Sequence, residues 1–175
     1  MGLIQKHFKT NSRIPLIDRY CREGKGLDLG SYQNKYTYDN VLGVDIKKNE
    51  NVDIIWDLNE PFNFVPKRSQ DFIFAGEIIE HLLNMGFFID ECHKVLKKGG
   101  YLIVTTPNAR SLIPCHSPLH YATMMIENLE KHMERHFSII ESGFINVFKR
   151  NLPLRLICWS RPNWRWYIYA VGMNR

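Results

Sequence analysis

Short apolar runs, each closed by a glycine, an acid or a proline, recur through the first two thirds of the chain. They are GLDLG (26–30), VLGVD (41–45), VDIIWDL (52–58), DFIFAGE (71–77) and YLIVTTP (101–107). Runs of this length, apolar at successive positions, predict strands buried on both faces. Ile14, Ile17 and Cys21 lie at helical spacing, and Gly24 and Gly26 then stop that helix. Residues 78–98 carry a second helical period, broken near Gly86, with Ile89, Cys92, Val95 and Leu96 as the apolar stripe of its second half. Strands alternating with helices predict an α/β fold with a Rossmann-like, doubly wound, mostly parallel sheet. Residues 31–40, SYQNKYTYDN, hold no run able to make a long amphipathic helix, so the first crossover is expected to be short. Beyond Pro107 the pattern changes. Residues 108–120 read as a loop, 121–136 as a helix, and 144–152 and 165–173 as strands closing the sheet.

Composition narrows the class. The 175 residues, 45% apolar and 23% charged, fit one domain spanning 1–175, with no linker long enough to divide it. No apolar run approaches the roughly 18 residues of a membrane-spanning helix. The first residues lack the apolar core of a signal peptide. Cys21, Cys92, Cys115 and Cys158 show no C-x-x-C spacing, which argues against a disulfide scaffold and for a cytoplasmic protein. The net charge of +5 is concentrated: residues 131–175 hold eight Lys/Arg against two acids, whereas residues 1–130 are nearly balanced.

In an open parallel sheet the ligand lies beyond the carboxyl ends of the strands. The residues there are Asp28 and Gly30 after the first strand, Asp45 after the second, Asp57 after the third and Glu77 after the fourth. A carboxylate ending the second strand has two acceptor oxygens for the two hydroxyls of a ribose. A dinucleotide needs G-x-G-x-x-G; here Tyr32 and Lys35 stand where its later glycines belong, and Asp28 and Glu77 repel a pyrophosphate. Four acids suit a ligand carrying a sulfonium, an ammonium and an adenosine, which is S-adenosylmethionine.

At these residues the chain resembles the class I S-adenosylmethionine-dependent methyltransferases. LDLGS (27–31) is similar to their first motif, VLGVDI (41–46) to the ribose motif and WDLNEPFNF (56–64) to the adenine-side motif. DFIFAGEIIEHL (71–82) resembles their fourth-strand segment, and ECHKVLKKGGYLIVTTPN (91–108) the following helix, turn and fifth strand. The resemblance implies about seven strands with the last antiparallel. It also implies S-adenosylmethionine as methyl-donor cosubstrate, with contacts from Asp28, Gly30, Ser31, Asp45, Ile46, Asp57, Leu58, Gly76 and Glu77. The chain departs from D-x-G-x-G-x-G at Tyr32 and Asn34, a reduced glycine loop in a compact variant.

Methyl transfer needs positioning more than a dedicated catalytic group. If the acceptor is a hydroxyl, His81, His116 and His120 are the candidate bases; otherwise His81 anchors the sheet–helix junction. Acceptor contacts are expected from residues 107–136, the C-terminal end or a partner subunit. No metal is expected: Pro118 separates His116 from His120, and His132, Glu134 and His136 read as a polar helix face. Two other functions are consistent with the residues. One is a noncatalytic methyltransferase-fold subunit; the other is a nucleic-acid-binding protein using KRNLPLRLICWSRPNWRWYIY (149–169), where Arg alternates with Trp and Tyr. That stretch also resembles two ordinary edge strands with an exposed basic turn, which is the favoured reading.

Overall fold

The computed structural model describes residues 14–21, 23–32, 40–111, 118–145 and 167–175. Helix α1 (Ile14–Tyr20) leads into β1 (Gly26–Leu29), β2 (Val41–Asp45), a two-residue β3 (Ile54–Ile55) and β4 (Gln70–Gly76). A 3₁₀ turn (Ile79–His81), α2 (Met85–Val95), β5 (Leu96–Pro107), α3 (Ile126–Met133), β6 (Phe137–Ile145) and β7 (Tyr167–Asn174) follow. The strands form one seven-stranded sheet in the order β3-β2-β1-β4-β5-β7-β6. β1 to β5 pair in parallel, and β7 runs antiparallel to both neighbours. The Rossmann-like sheet with its last strand antiparallel is therefore as expected. Strand order reverses between β1 and β4, so the switch point lies at their carboxyl ends.

Alternation along the central strands divides the core. Leu27, Leu29, Ile73, Ala75, Leu102 and Val104 face the layer built by the 3₁₀ turn, α2 and α3. Phe72, Phe74, Ile103 and Val171 face the other side, where Leu16 and Ile17 of α1 and the following Cys21 cover them. Buried polar groups lock the far end of the sheet. The Asn174 amide donates to the carbonyls of His93, Leu96 and Lys97 at 3.3, 3.0 and 3.2 Å, and accepts from His93 Nδ1 at 2.6 Å. No helix among the described residues is long and apolar enough to cross a membrane.

Several boundaries differ from the pattern reading. The break in 78–98 falls at residues 82–84, because the Asn84 side chain accepts from Phe87 N–H at 3.0 Å and starts α2 there; Gly86 lies inside its first turn. The third strand shrinks to two residues: before it the Asp53 side chain accepts from Gly43 N–H of β2 at 2.7 Å, and after it Asp57 accepts from Asn59 N–H at 2.9 Å in a local turn. The helix expected over 121–136 is confined to Ile126–Met133. The strand expected at 144–152 begins instead at Phe137. The remainder of that strand, the first crossover (33–39), His116, Cys115 and most of the basic aromatic stretch lie outside the described residues.

Candidate functional site

The carboxyl ends of β2 and β4 and the segment after β3 enclose a cleft of about 140 Å³. Asp45, Ile46, Asp57 and Leu58 line it, together with Trp56, Asn59, Ile78, His81 and Leu82. Four residues singled out as ligand contacts thus share one cavity, and His81 joins them. Asp45 is half-buried at the end of β2. Its two oxygens accept from the backbone N–H groups of Tyr32 at 3.2 Å and Lys47 at 3.0 Å, which aims the carboxylate. Each oxygen has lone-pair capacity left for a hydroxyl donor. Asp57 is fixed by Asn59, whose backbone and side-chain N–H groups both reach Oδ1 at 2.9 Å. Asn59 in turn accepts from Leu83 N–H at 2.9 Å, tying the two walls of the cleft together.

Trp56 was not anticipated. Its ring packs on Phe64 at 5.4 Å within an aromatic row continuing through Phe62 to Phe88. Its indole N–H is buried with no hydrogen-bond partner among the described residues. Ile78, Leu82 and Asn59 were also missed. The signal was local: apolar positions beside the strand-end acids in WDLN and EIIEHL.

The other predicted contacts lie around the cleft rather than in its lining. Gly30 follows β1 with φ +82°, a conformation that L side chains rarely adopt. A Cβ there would come within 3.0 Å of Ile78 Cβ. Ser31 is fully buried and its hydroxyl donates to Asn51 O at 3.3 Å. Asp28 is 2% exposed, and its charge adds to the burial that pushes the Cys21 thiol far up. Gly76 ends β4. Glu77 has φ +56° and is held to β5 twice, by its N–H on Thr105 O and by Thr105 Oγ1 on its carboxylate, both at 2.9 Å.

His81 Nδ1 lies 3.1 Å from the carbonyl oxygen of Leu119, to which it donates. His120 meets the His81 ring edge to face, with centroids 4.7 Å apart. Glu80, 2% exposed, accepts from Thr106 Oγ1 at 2.9 Å. The second histidine pair does not share a helix face, since His136 lies beyond the end of α3. There it hydrogen-bonds Asp90 at 2.8 Å and stacks on His93 at 4.3 Å.

A larger cavity of about 500 Å³ opens at the opposite end of the strands, lined by Arg19, Tyr20, Asp71, Lys97 and Tyr101 among others. It lies at the amino ends of β4 and β5, away from the switch point where such sheets bind ligands.

A doubly wound sheet with its order reversing beside a cleft, and carboxylates beyond two adjacent strands, defines a Rossmann-like nucleoside-site architecture. Residues 3–151 match the family model described as a methyltransferase domain. Probable S-adenosylmethionine-dependent methyltransferases of Mycobacterium tuberculosis are 25% identical over 140 residues, covering 75% of this chain and 49% of theirs. The mitochondrial ubiquinone biosynthesis O-methyltransferase of Rattus norvegicus is 45% identical over 42 residues, 24% of this chain and 12% of its own. A chain of the Haloferax volcanii complex between the Trm112 methyltransferase activator and a methyltransferase shares the fold. Its TM-score is 0.69 at 11% identity, over 97% of this chain and 91% of that one. The chain belongs to the class I S-adenosylmethionine-dependent methyltransferase family. It spans about half the length of the Mycobacterium relatives.

Proposed function

We propose that the chain is a single-domain, cytoplasmic enzyme that binds S-adenosylmethionine and transfers its methyl group to an acceptor. The observation that carries this reading is the convergence of Asp45, Asp57 and the Trp56 ring on one cleft at the switch point. Two carboxylate acceptors beside an aromatic wall fit the ribose hydroxyls, the adenine amino group and the face of the base. The cleft is smaller than the roughly 300–1,000 Å³ of typical small-molecule sites. It suits the nucleoside end, with the methionyl end running past Gly30 toward Glu77 and the buried Asp28.

When bound, S-adenosylmethionine supplies an electrophilic methyl carbon on a positively charged sulfur. The chain's contribution is placement. Asp45 accepts from the ribose, Asp57 from the adenine side, and Ile46, Leu58 and Leu82 provide the apolar walls. Gly30 lets the backbone approach the ligand closely. His81 marks the side from which an acceptor enters, because it belongs to the cleft and its Nδ1–H also holds the Leu119 carbonyl. Proximity of this kind supplies much of the rate enhancement.

The test is calorimetric titration of the protein with S-adenosylmethionine and S-adenosylhomocysteine. Saturable one-to-one binding of both supports the proposal, and absence of binding by either refutes it. Binding without methyl transfer to any acceptor would favour the noncatalytic subunit. An activator complex is known for the Haloferax volcanii neighbour, so a partner that completes the acceptor site belongs to the same reading.

A further inference from the structure

We propose that Glu80, His81 and His120 bind one divalent transition-metal ion of the zinc or cobalt type, which holds the hydroxyl of the methyl acceptor beside the cleft. One ligand atom from each residue lies within 4.8 Å of the other two. One carboxylate and two imidazoles are the donor set of open metal sites, in which the remaining positions take water or substrate. Such a set selects borderline ions over magnesium or calcium, which take oxygen ligands.

The surroundings are organised for ligation. The Glu80 carboxylate is almost fully buried, at 2% exposure, so its ligand oxygens are held in a fixed, water-poor position. Thr106 Oγ1 donates to one of its oxygens and fixes its orientation. His81 donates Nδ1–H to Leu119 O, so the neutral ring presents the lone pair of Nε2. A ligating histidine whose other nitrogen donates to a backbone carbonyl is a recurrent feature of metal sites. The Glu80 carbonyl accepts from Tyr121 N–H at 2.8 Å and from Ala122 N–H at 3.4 Å. Those bonds clamp the segment carrying His120 onto the turn carrying Glu80 and His81. His81 also lines the cleft with Asp45 and Asp57, so an ion on its ring borders the proposed ligand site.

The consequence for chemistry rests on the proposed methyltransferase reading. An acceptor hydroxyl on the ion loses its proton to solvent, because coordination to a divalent cation lowers its pKa. The resulting oxyanion forms the new O–C bond to the methyl carbon. The S–C bond breaks with its electron pair left on sulfur, which becomes a neutral thioether, and the acceptor becomes a methyl ether. No oxidant or reductant enters. The acceptor class is thus an alcohol or phenol.

The experiment uses the untagged full chain, stripped with a chelator and dialysed. Zinc is titrated against a chromogenic indicator, and cobalt binding is followed by visible absorption. The expected result is one equivalent bound, with a cobalt spectrum of low-symmetry nitrogen and oxygen ligation. His120→Ala and His81→Ala should each weaken binding at least about 100-fold. Glu80→Gln keeps an acceptor for Thr106 and should weaken it about tenfold or more. His132→Ala, on α3, should leave it unchanged. S-adenosylhomocysteine affinity is measured separately on the same metal-free proteins. Metal binding without nucleoside binding would uphold the site and sink the methyltransferase reading, and the reverse would do the opposite. No bound equivalent in the wild type, or an unchanged titration in Glu80→Gln and either folded histidine variant, overturns the proposal. Should both histidine variants fail to fold, Glu80→Gln and the wild-type cobalt spectrum decide it.

Discussion

Replacing Asp45 with alanine removes the acceptor proposed for the ribose and should leave most of the fold intact. Among the described residues its half-buried carboxylate accepts two backbone N–H groups, from Tyr32 and Lys47, where water can replace it. The cost to stability should therefore be about 1 kcal/mol or less. The cost to binding is larger. Hydrogen bonds to a charged acceptor contribute about 1.5–3 kcal/mol, and at about 1.4 kcal/mol per decade this is a roughly 10- to 100-fold loss of affinity. The assay is calorimetric titration with S-adenosylmethionine and S-adenosylhomocysteine, accompanied by thermal melting of the same samples. Asp45→Asn is the informative companion. It retains one carbonyl acceptor but turns a donor toward one of the two backbone N–H groups, so its affinity should fall between wild type and Asp45→Ala. A folded Asp45→Ala protein with unchanged affinity for both ligands would remove the ribose role, and with it the orientation of the nucleoside in the cleft.

Three further outcomes follow from the geometry. Asn174→Ala leaves the carbonyls of His93, Leu96 and Lys97 without their shared donor in a buried setting, and should cost about 2–3 kcal/mol in chemical denaturation; a loss within 0.5 kcal/mol would show that water restores those bonds. Burial pushes the Asp71 carboxyl up, but the Lys97 ammonium and the Lys25 N–H outweigh it and hold it below its usual 3.8. Its stabilising contribution is therefore present above pH 3.8 and fades as pH falls through its lower folded value, so the melting-temperature gap between wild type and Asp71→Asn should be widest near neutrality and close in acid; a gap independent of pH counts against the pairing. Burial raises the thiols of Cys21 and Cys92, so in folded Cys115→Ser/Cys158→Ser protein neither should react with a thiol reagent at pH 8 until denaturant is added; reaction in the native state would contradict the packing under α1 and α2.

Much of the sheet was legible because its central strands are buried on both faces and show it as unbroken apolar runs. The strand-end acids were legible for the same reason, since a run that stops at Asp45 announces where the backbone emerges. What stayed hidden was set by partners distant in sequence. β6 carries Ser138, Glu141 and Ser142 among its apolar positions and has a register irregularity between Ile139 and Glu141, so its alternation is too weak to separate from the helix before it. His120 looked like the companion of His116 by spacing, yet its neighbours are Glu80 and His81, some forty residues earlier. Trp56 lay inside a motif quoted for its acid and was passed over, because an aromatic residue at that spacing reads as core.

The end of β4 connects these observations. Gly76 closes the strand, and Glu77 then takes φ +56°, a backbone state that costs a non-glycine residue about 1–3 kcal/mol. Its two hydrogen bonds to Thr105 offset that cost and make the reversal rigid. The reversal brings Ile78 against Gly30, so close that a Cβ at position 30 would sit only 3.0 Å from it. One turn later the chain delivers Glu80 beneath Thr106 of β5, and His81 and Leu82 into the cleft. A single strained residue thus sets the distance between the nucleoside walls and the Glu80–His81–His120 cluster. On the proposed reading, residues 77–82 link the donor and acceptor ends from the β4 side, while Asp45, Ile46 and residues 56–59 build the opposite wall of the cleft.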